Sequence, residues 1–450
     1  MRSVRKFGAR TMVIMAAVLV TALSVTTAGS TTPTRASMSA SATERPPAAF
    51  EPAQPQGPVS LATVDFATAQ DGAVIFTRAL SGDTNLCAVE AAVTTDGGRS
   101  FRPSIVLART EYGLSPVTDC GFASLALAPG GSGWAVAAGR LWAISDAWRT
   151  WRVSPAFALA LGRESGRLAA CGVVLHGTFV LVTACPSDQT FPSFLMRSTN
   201  LGRTWIVSRI TASAGGSRGG RGSQMAFSSS STGAVFGCPT ETCLQHGGSS
   251  SLELSTTDNA GESWVNHRVC PDSDNGGFLA AFASELTVAC LGPMSAGAQA
   301  ITVFSSNNGG RSWREMCANG FFGSWKKRAM CPWEGYVSSL VATSDGTLLM
   351  GVTRAGVYAS TNDGATWRLT LQTFNFDAGW PVDVASIGDA AWAVTGYGST
   401  LGASTNGGRS WTVWTFRTMT RVRKLVVVAM VVIALSLAAC TRAPSNAPAS

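Results

Sequence analysis

Between residues 59 and 416 short apolar stretches alternate with breaks rich in Gly, Ser, Asn and Asp. Val382-Asp-Val-Ala-Ser, Trp392-Ala-Val-Thr and Thr400-Leu-Gly-Ala are three such stretches, and Gly388-Asp389 is one such break. Ser124-Leu-Ala-Leu-Ala, Gly133-Trp-Ala-Val and Leu141-Trp-Ala-Ile show the same layout earlier. Apolar runs this short, bounded by turn residues, predict β-strands. Their period-two alternation is blurred, as it is in strands covered on both faces.

One eight-residue pattern punctuates these strands: Ser/Thr, any, Asp/Asn, any, Gly, any, Ser/Thr, aromatic. It reads TTDGGRSF at 94–101, STNLGRTW at 198–205, TDNAGESW at 257–264, SNNGGRSW at 306–313, STNDGATW at 360–367 and STNGGRSW at 404–411. A seventh copy, ISDAWRTW at 144–151, keeps Asp146, Thr150 and Trp151 but has Trp148 in place of the glycine. The final aromatics lie 50, 54, 59, 49, 54 and 44 residues apart. A period of this length marks a repeat architecture. The chemistry is that of a hairpin turn. The Asp or Asn side chain accepts backbone N–H bonds, and glycine takes the positive φ other residues resist. Strand-like residues flank each copy, so the motif is expected between the last two strands of a four-stranded unit. Its turn residues are Asp96, Asp146, Asn200, Asn259, Asn308, Asn362 and Asn406.

The motif resembles the Asp-box, or BNR repeat, of sialidases, sortilin-type receptors and photosystem-assembly-factor-like propellers. The Gly/Ala-Trp-Ala-Val step is most similar to the last of these. The resemblance implies an all-β, seven-bladed propeller over residues 59–416, with four-stranded antiparallel blades and the box turns at the periphery, away from any active site. Each blade is complete in sequence, so closure is expected to rest on packing of blade 1 against blade 7. Sialidases need an arginine triad, an Arg-Ile-Pro-type segment before the first box and a Tyr/Glu pair. Phe101-Arg102-Pro103 follows the first box here, and tyrosine is scarce.

Charge separates the body from its ends. The net charge is +8, but residues 44–416 hold 24 Lys+Arg against 26 Asp+Glu, and the remaining basic residues sit in acid-free tails. That distribution argues against nucleic acid as a partner. Residues 1–28 have a basic start, the apolar run Met12 to Val25 and small residues at Thr26-Thr27-Ala28, the layout of a signal peptide. An uncleaved anchor is the other reading. Residues 29–58 are a Pro/Ser/Thr/Ala-rich linker. In the tail, 417–450, a basic stretch from Met419 precedes the apolar run Leu425 to Ala439 and Leu437-Ala-Ala-Cys440. This segment resembles a bacterial lipoprotein signal, which implies lipid attachment at Cys440. It reads either as a short membrane anchor or as the start of a fused reading frame. The expected address is extracellular or cell-envelope, with membrane contact through the terminal segments.

Of 11 cysteines, ten lie in the body. An even number in an exported chain points to disulfides. Pairing sequence neighbours gives Cys87–Cys120, Cys171–Cys185, Cys238–Cys243, Cys270–Cys290 and Cys317–Cys331 as one set. With three histidines and no paired CxxC spacing, no metal and no cofactor is expected.

Four features carry candidate chemistry. Asp65 and Asp383 each stand six residues before a turn acid, Asp71 and Asp389, and so are read as equivalent positions on the innermost strands of neighbouring blades. Such a pair suits glycoside hydrolysis, or serves as structural acids. The insertion 314–336 holds Phe321, Phe322, Trp325, Lys326, Lys327, Arg328, Trp333 and Tyr336, and a Cys317–Cys331 bond would staple it. Aromatics beside basic groups suit a contact site for a protein or glycan at the cell surface; alternatively the loop packs them beneath itself. Gly215 to Gly222, with Arg218 and Arg221, offers a flexible loop or an anion contact. Asp272-Ser-Asp274-Asn-Gly276 is a fragment of a calcium loop without the later ligands. The expected function is a non-catalytic binding or assembly scaffold. A glycoside hydrolase using Asp65 and Asp383 is the alternative.

Overall fold

The computed structural model describes residues 59–80, 86–111, 123–162, 168–186, 194–209, 225–236, 254–270, 277–295, 297–319, 331–332, 334–373, 381–395 and 400–416. The chain divides into units Met1–Gln54 and Pro55–Ser450, and everything described lies in the second.

Seven antiparallel sheets of four strands each follow one another along the chain, every sheet built from consecutive strands. They form the seven blades of a ring. The innermost strands are Val59–Phe66, Ala123–Ala128, Leu168–His176, Met225–Phe227, Gly277–Phe282, Val337–Ala342 and Pro381–Ile387. The expected propeller and its blade count are thus found. One element departs from the all-β expectation, the helix Pro155–Leu161 between blades 2 and 3. Ser154 caps it by accepting the Phe157 N–H, and a proline sits in its first turn, where a missing N–H costs nothing. Phe157 anchors it edge-on against Trp205, 5.3 Å between ring centroids.

The core is distributed. Among the described residues seven apolar clusters each join one pair of adjacent blades: 1 and 2, 2 and 3, 3 and 4, 4 and 5, 5 and 6, 6 and 7, and 7 and 1. Burial on both sheet faces is what blurred the alternation in the sequence.

Six of the seven turn motifs share one bond set. The first-position hydroxyl donates to the third-position Oδ1 at 2.8–3.0 Å, as from Thr94 to Asp96 and Ser360 to Asn362. The fifth-position N–H donates to that hydroxyl, and the seventh-position N–H to the third-position Oδ1. The fourth-position N–H of several copies reaches a carbonyl of the blade's inner hairpin, as Gly97 to Gln70 and Gly407 to Asp389. The copy at 144–151 folds differently. Asp146, Ala147 and Trp148 take positive φ (55°, 49° and 59°), and Trp148 is buried in the cluster between blades 1 and 2.

Cys171–Cys185, Cys270–Cys290 and Cys317–Cys331 are bonded as expected. Cys87 is also disulfide-bonded; Cys120, and the pair Cys238 and Cys243, lie outside the described residues. Among the described residues no helix is long and apolar enough to cross a membrane.

Candidate functional site

The innermost strands expose one edge to the centre of the ring, where a cavity of about 480 Å³ opens. Asp65, Asp383, Ser124, Thr183, Ser339 and Ser386 are polar members of its wall. Both sequence-predicted acids therefore come together in one place.

They do not occupy equivalent positions. Register through the motif turns aligns Thr94, Gly72 and Phe66 of blade 1 with Ser404, Ala391 and Ser386 of blade 7. Asp383 then matches Thr63, and Asp65 matches Ala385. Counting back from Asp71 and Asp389 misled because the inner hairpins differ: strand pairing resumes after five residues in blade 1 and after two in blade 7. Ser339 of blade 6 shares the Asp383 position, and Ala226 of blade 4 shares the Asp65 position. A β-bulge precedes this position in blades 1, 3, 6 and 7. Bulges re-aim the side chains beside them.

The re-aimed side chains tie blades together. Asp383 Oδ2 accepts the Thr63 hydroxyl at 2.6 Å and the Val64 N–H at 3.2 Å, both from blade 1, while its Oδ1 accepts the N–H of Val384 at 2.9 Å. Asp65 Oδ2 accepts the Leu127 N–H of blade 2 at 2.7 Å. Ser124 accepts the Val173 N–H of blade 3 at 3.3 Å. Ser386 donates to the Ala342 carbonyl of blade 6 at 2.8 Å. Thr63, Ser124 and Ser386 were missed in the sequence, where an isolated Ser or Thr in a strand carries no signal until pairing is known.

Asp65 keeps some surface open to the cavity but is crowded by protein on every side. Burial pushes its carboxyl up to about 7; the Leu127 and Phe66 N–H groups oppose the rise, and the charge of Asp383 adds to it. Two carboxyl groups in such different surroundings, one raised by burial and the other hydrogen-bonded, are the arrangement that divides acid from base in a hydrolase. Against that use, Asp383 already meets three protein donors.

Of the insertion's candidate residues, Tyr336 is described: the Arg354 guanidinium lies 5.8 Å from the centre of its ring, the Tyr336 N–H donates to the Thr353 hydroxyl, and the Tyr336 carbonyl accepts the Thr353 N–H. Phe321, Phe322, Trp325, Lys326, Lys327, Arg328 and Trp333 lie outside the described residues, as do Gly215–Gly222, Asp272–Gly276 and Cys440. Among the described residues no three His, Cys, Asp or Glu side chains gather as a metal site.

No protein-family model and no curated protein matches the chain. Solved structures do. YCF48 bound to D1 peptide shares 14% identity at a TM-score of 0.42, covering 77% of this chain and 97% of that one. YCF48 from Cyanidioschyzon merolae shares 13% at a TM-score of 0.40, over 66% of this chain and 85% of that one. An ancestral GH74 enzyme shares 13% at a TM-score of 0.48, over 81% of this chain and 48% of its own length. Likenesses this distant carry no argument about function.

Proposed function

We propose that the chain is an exported propeller of the cell envelope that works as a non-catalytic binding or assembly scaffold. It presents a protein or glycan partner with loops held on a rigid ring. The turn motif is read here as an Asp-box. Residues 1–28 are assigned as the signal peptide, 29–58 as a spacer and 417–450 as a membrane-directed tail. Cys440 is the lipidation site if that tail is processed as a lipoprotein signal. The contact site is assigned to the insertion around Phe321, Phe322, Trp325, Lys326, Lys327, Arg328, Trp333 and Tyr336, with Cys317–Cys331 closing its base.

The observation that carries the scaffold reading is the engagement of Asp383: three donors from two blades already take up three of the roughly four acceptor sites of its carboxylate. A base or nucleophile needs a free lone pair aimed at substrate. Disulfides fit an oxidising, exported setting. Affinity capture from the native envelope tests the reading. The full chain should retain a partner that the Trp325→Ala, Lys327→Ala variant loses. Identical capture by both would defeat the assignment of the insertion.

One observation favours a second reading, the glycoside hydrolase: burial raises the Asp65 carboxyl to about 7, and the charge of Asp383 adds to the rise. Cleavage on a broad glycan panel that disappears in Asp65→Asn and Asp383→Asn would establish the hydrolase and end the scaffold proposal.

A further inference from the structure

The three described disulfides differ in what they join. Cys270 follows the outermost strand of blade 4 and is bonded to Cys290 in the second strand of blade 5, so this bond ties two blades. Cys317–Cys331 closes the base of the insertion. Cys171–Cys185 lies within one hairpin of blade 3, between the innermost strand Leu168–His176 and the second strand Phe179–Pro186. Those strands already pair on both sides of it, Gly172 with Thr183 and Ala170 with Ala184, and Cys171 is the extra residue of the bulge between. The bond adds no connection that the sheet lacks.

Its position is also unlike the others. Cys171 and Cys185 both line the central cavity. On the second strand the wall takes Thr183 and Cys185 and passes over Ala184. Alternate residues of a strand share a face, so the side chains of these two reach the wall. Gly172 has no side chain to cover them; a Cβ there would stand 2.9 Å from the Thr183 hydroxyl. Among the described cysteines Cys171 alone is partly exposed, and the other six are at most 4% exposed. Accessible disulfides are the ones open to exchange.

We propose that Cys171–Cys185 is a site of reversible S-thiolation, opened from the central cavity by a low-molecular-weight thiol. The entering thiolate attacks Sγ of Cys171, the exposed partner. The S–S bond breaks, and Cys185 leaves as a thiolate that takes up the proton the entering thiol gave up. Cys171 then carries a mixed disulfide, and Cys185 is a buried thiol. Return attack by the Cys185 thiolate on Cys171 Sγ expels the small thiol and restores the bond. A second thiol attacking the outer sulfur instead yields a small disulfide and frees Cys171 as a thiol. The Thr183 carbonyl oxygen, 3.3 Å from Cys171 Sγ, is placed to accept its hydrogen. The inference is independent of the insertion's role as a contact site.

Titration of the full chain with cysteamine under native conditions tests it, with free thiols blocked by N-ethylmaleimide and mapped by mass spectrometry. Cys171–Cys185 should be half opened at a concentration roughly ten-fold or more below that needed for Cys270–Cys290 or Cys317–Cys331, with the far-UV circular dichroism unchanged. Opening of either other bond at an equal or lower concentration, or loss of the β-sheet signal as Cys171–Cys185 opens, would overturn the proposal. The point of attack is read with cystamine, the disulfide of cysteamine. Cys171 in Cys185→Ser should take up cysteamine roughly ten-fold or more faster than Cys185 in Cys171→Ser; equal rates would overturn it as well. Should either variant fail to fold, the ranking of the three bonds in the unaltered chain decides.

Discussion

At the scale of single residues, Asp65 has the clearest thermodynamic consequence. Its carboxyl titrates near 7 in the folded chain and near 3.8 when free of its surroundings. Between those values the folded state keeps a proton that the unfolded state has released. Stability contributed by this group is therefore full below about pH 4, falls as pH rises to about 7 and is level above that. The drop is at most ~4 kcal/mol at ~1.4 kcal/mol per unit, and the surface open to the cavity makes it smaller. Asp65→Asn keeps an oxygen for the Leu127 N–H and removes the titration. Denaturant unfolding should show the variant more stable than wild type by about 1–3 kcal/mol at pH 8, and equal to it near pH 4. Parallel stability curves would refute the assigned burial. Both acids were visible in the sequence, but their roles were not. A count of six residues to a turn acid cannot register that the blade 1 hairpin is one residue longer between equivalent paired positions and that its turn acid stands one position later. The misplaced acid is the one whose environment matters most.

At the scale of elements, the turn motif was legible almost in full because it is local: side chain, N–H and positive φ lie within eight residues. What the sequence concealed is what the fifth-position glycine faces. A Cβ on Gly408 would stand 2.4 Å from Leu349 of blade 6, and one on Gly310 would stand 2.4 Å from Thr256 of blade 4. At Gly98, Gly202, Gly310, Gly364 and Gly408 the turn thus also seats its blade against the one before it. Gly408→Ala would meet both a φ of +74° and that contact, so a loss of about 2–4 kcal/mol is expected. Asn362→Ala removes the acceptor of the Ser360 hydroxyl and the Thr366 N–H, and with it the contacts of the Asn362 amide with the Thr366 hydroxyl, in an exposed turn. It should cost less, about 1–2 kcal/mol. Chemical denaturation of the two variants checks the order, and a costlier Asn362→Ala would mean that the turn acts through its own bonds and not through blade packing. The copy at 144–151 supports the packing role. Lacking glycine there, it fills the same gap with Trp148. The helix Pro155–Leu161 was not foreseen. Seven residues cannot show a full helical period, and its anchor is a tertiary contact with Trp205.

At the scale of the whole ring, one junction differs from the other six. Successive blades are joined by the chain, whereas blades 7 and 1 share no strand and no connecting segment. Closure there is made by side chains. Trp392 stacks on Phe66 with centroids 3.6 Å apart and 4° between planes. The Trp392 indole N–H donates to the Gly97 carbonyl at 3.1 Å, and Trp414 to the Gly98 carbonyl at 2.6 Å. Phe416 sits edge-on to Phe76 and Phe101, and Asp383 adds its bonds to Thr63 and Val64. That closure needs no strand exchange was readable from seven complete blades; its aromatic latch was not, because the partners lie more than 290 residues apart. Truncating a buried Trp costs about 3–5 kcal/mol wherever it sits. Where the opening begins should nevertheless depend on the junction. Trp134 is the register equivalent of Trp392 and packs against Trp205 across the chain-linked junction of blades 2 and 3. Hydrogen exchange followed by mass spectrometry separates the cases. In Trp392→Ala, Val59–Phe66 and Pro381–Ile387 should lose protection before the other innermost strands, because no covalent link holds the open seam. In Trp134→Ala, those two segments should stay protected until the whole ring unfolds. The same exchange pattern in both variants would mean that the ring yields as one unit and that its aromatic closure has no special place in it.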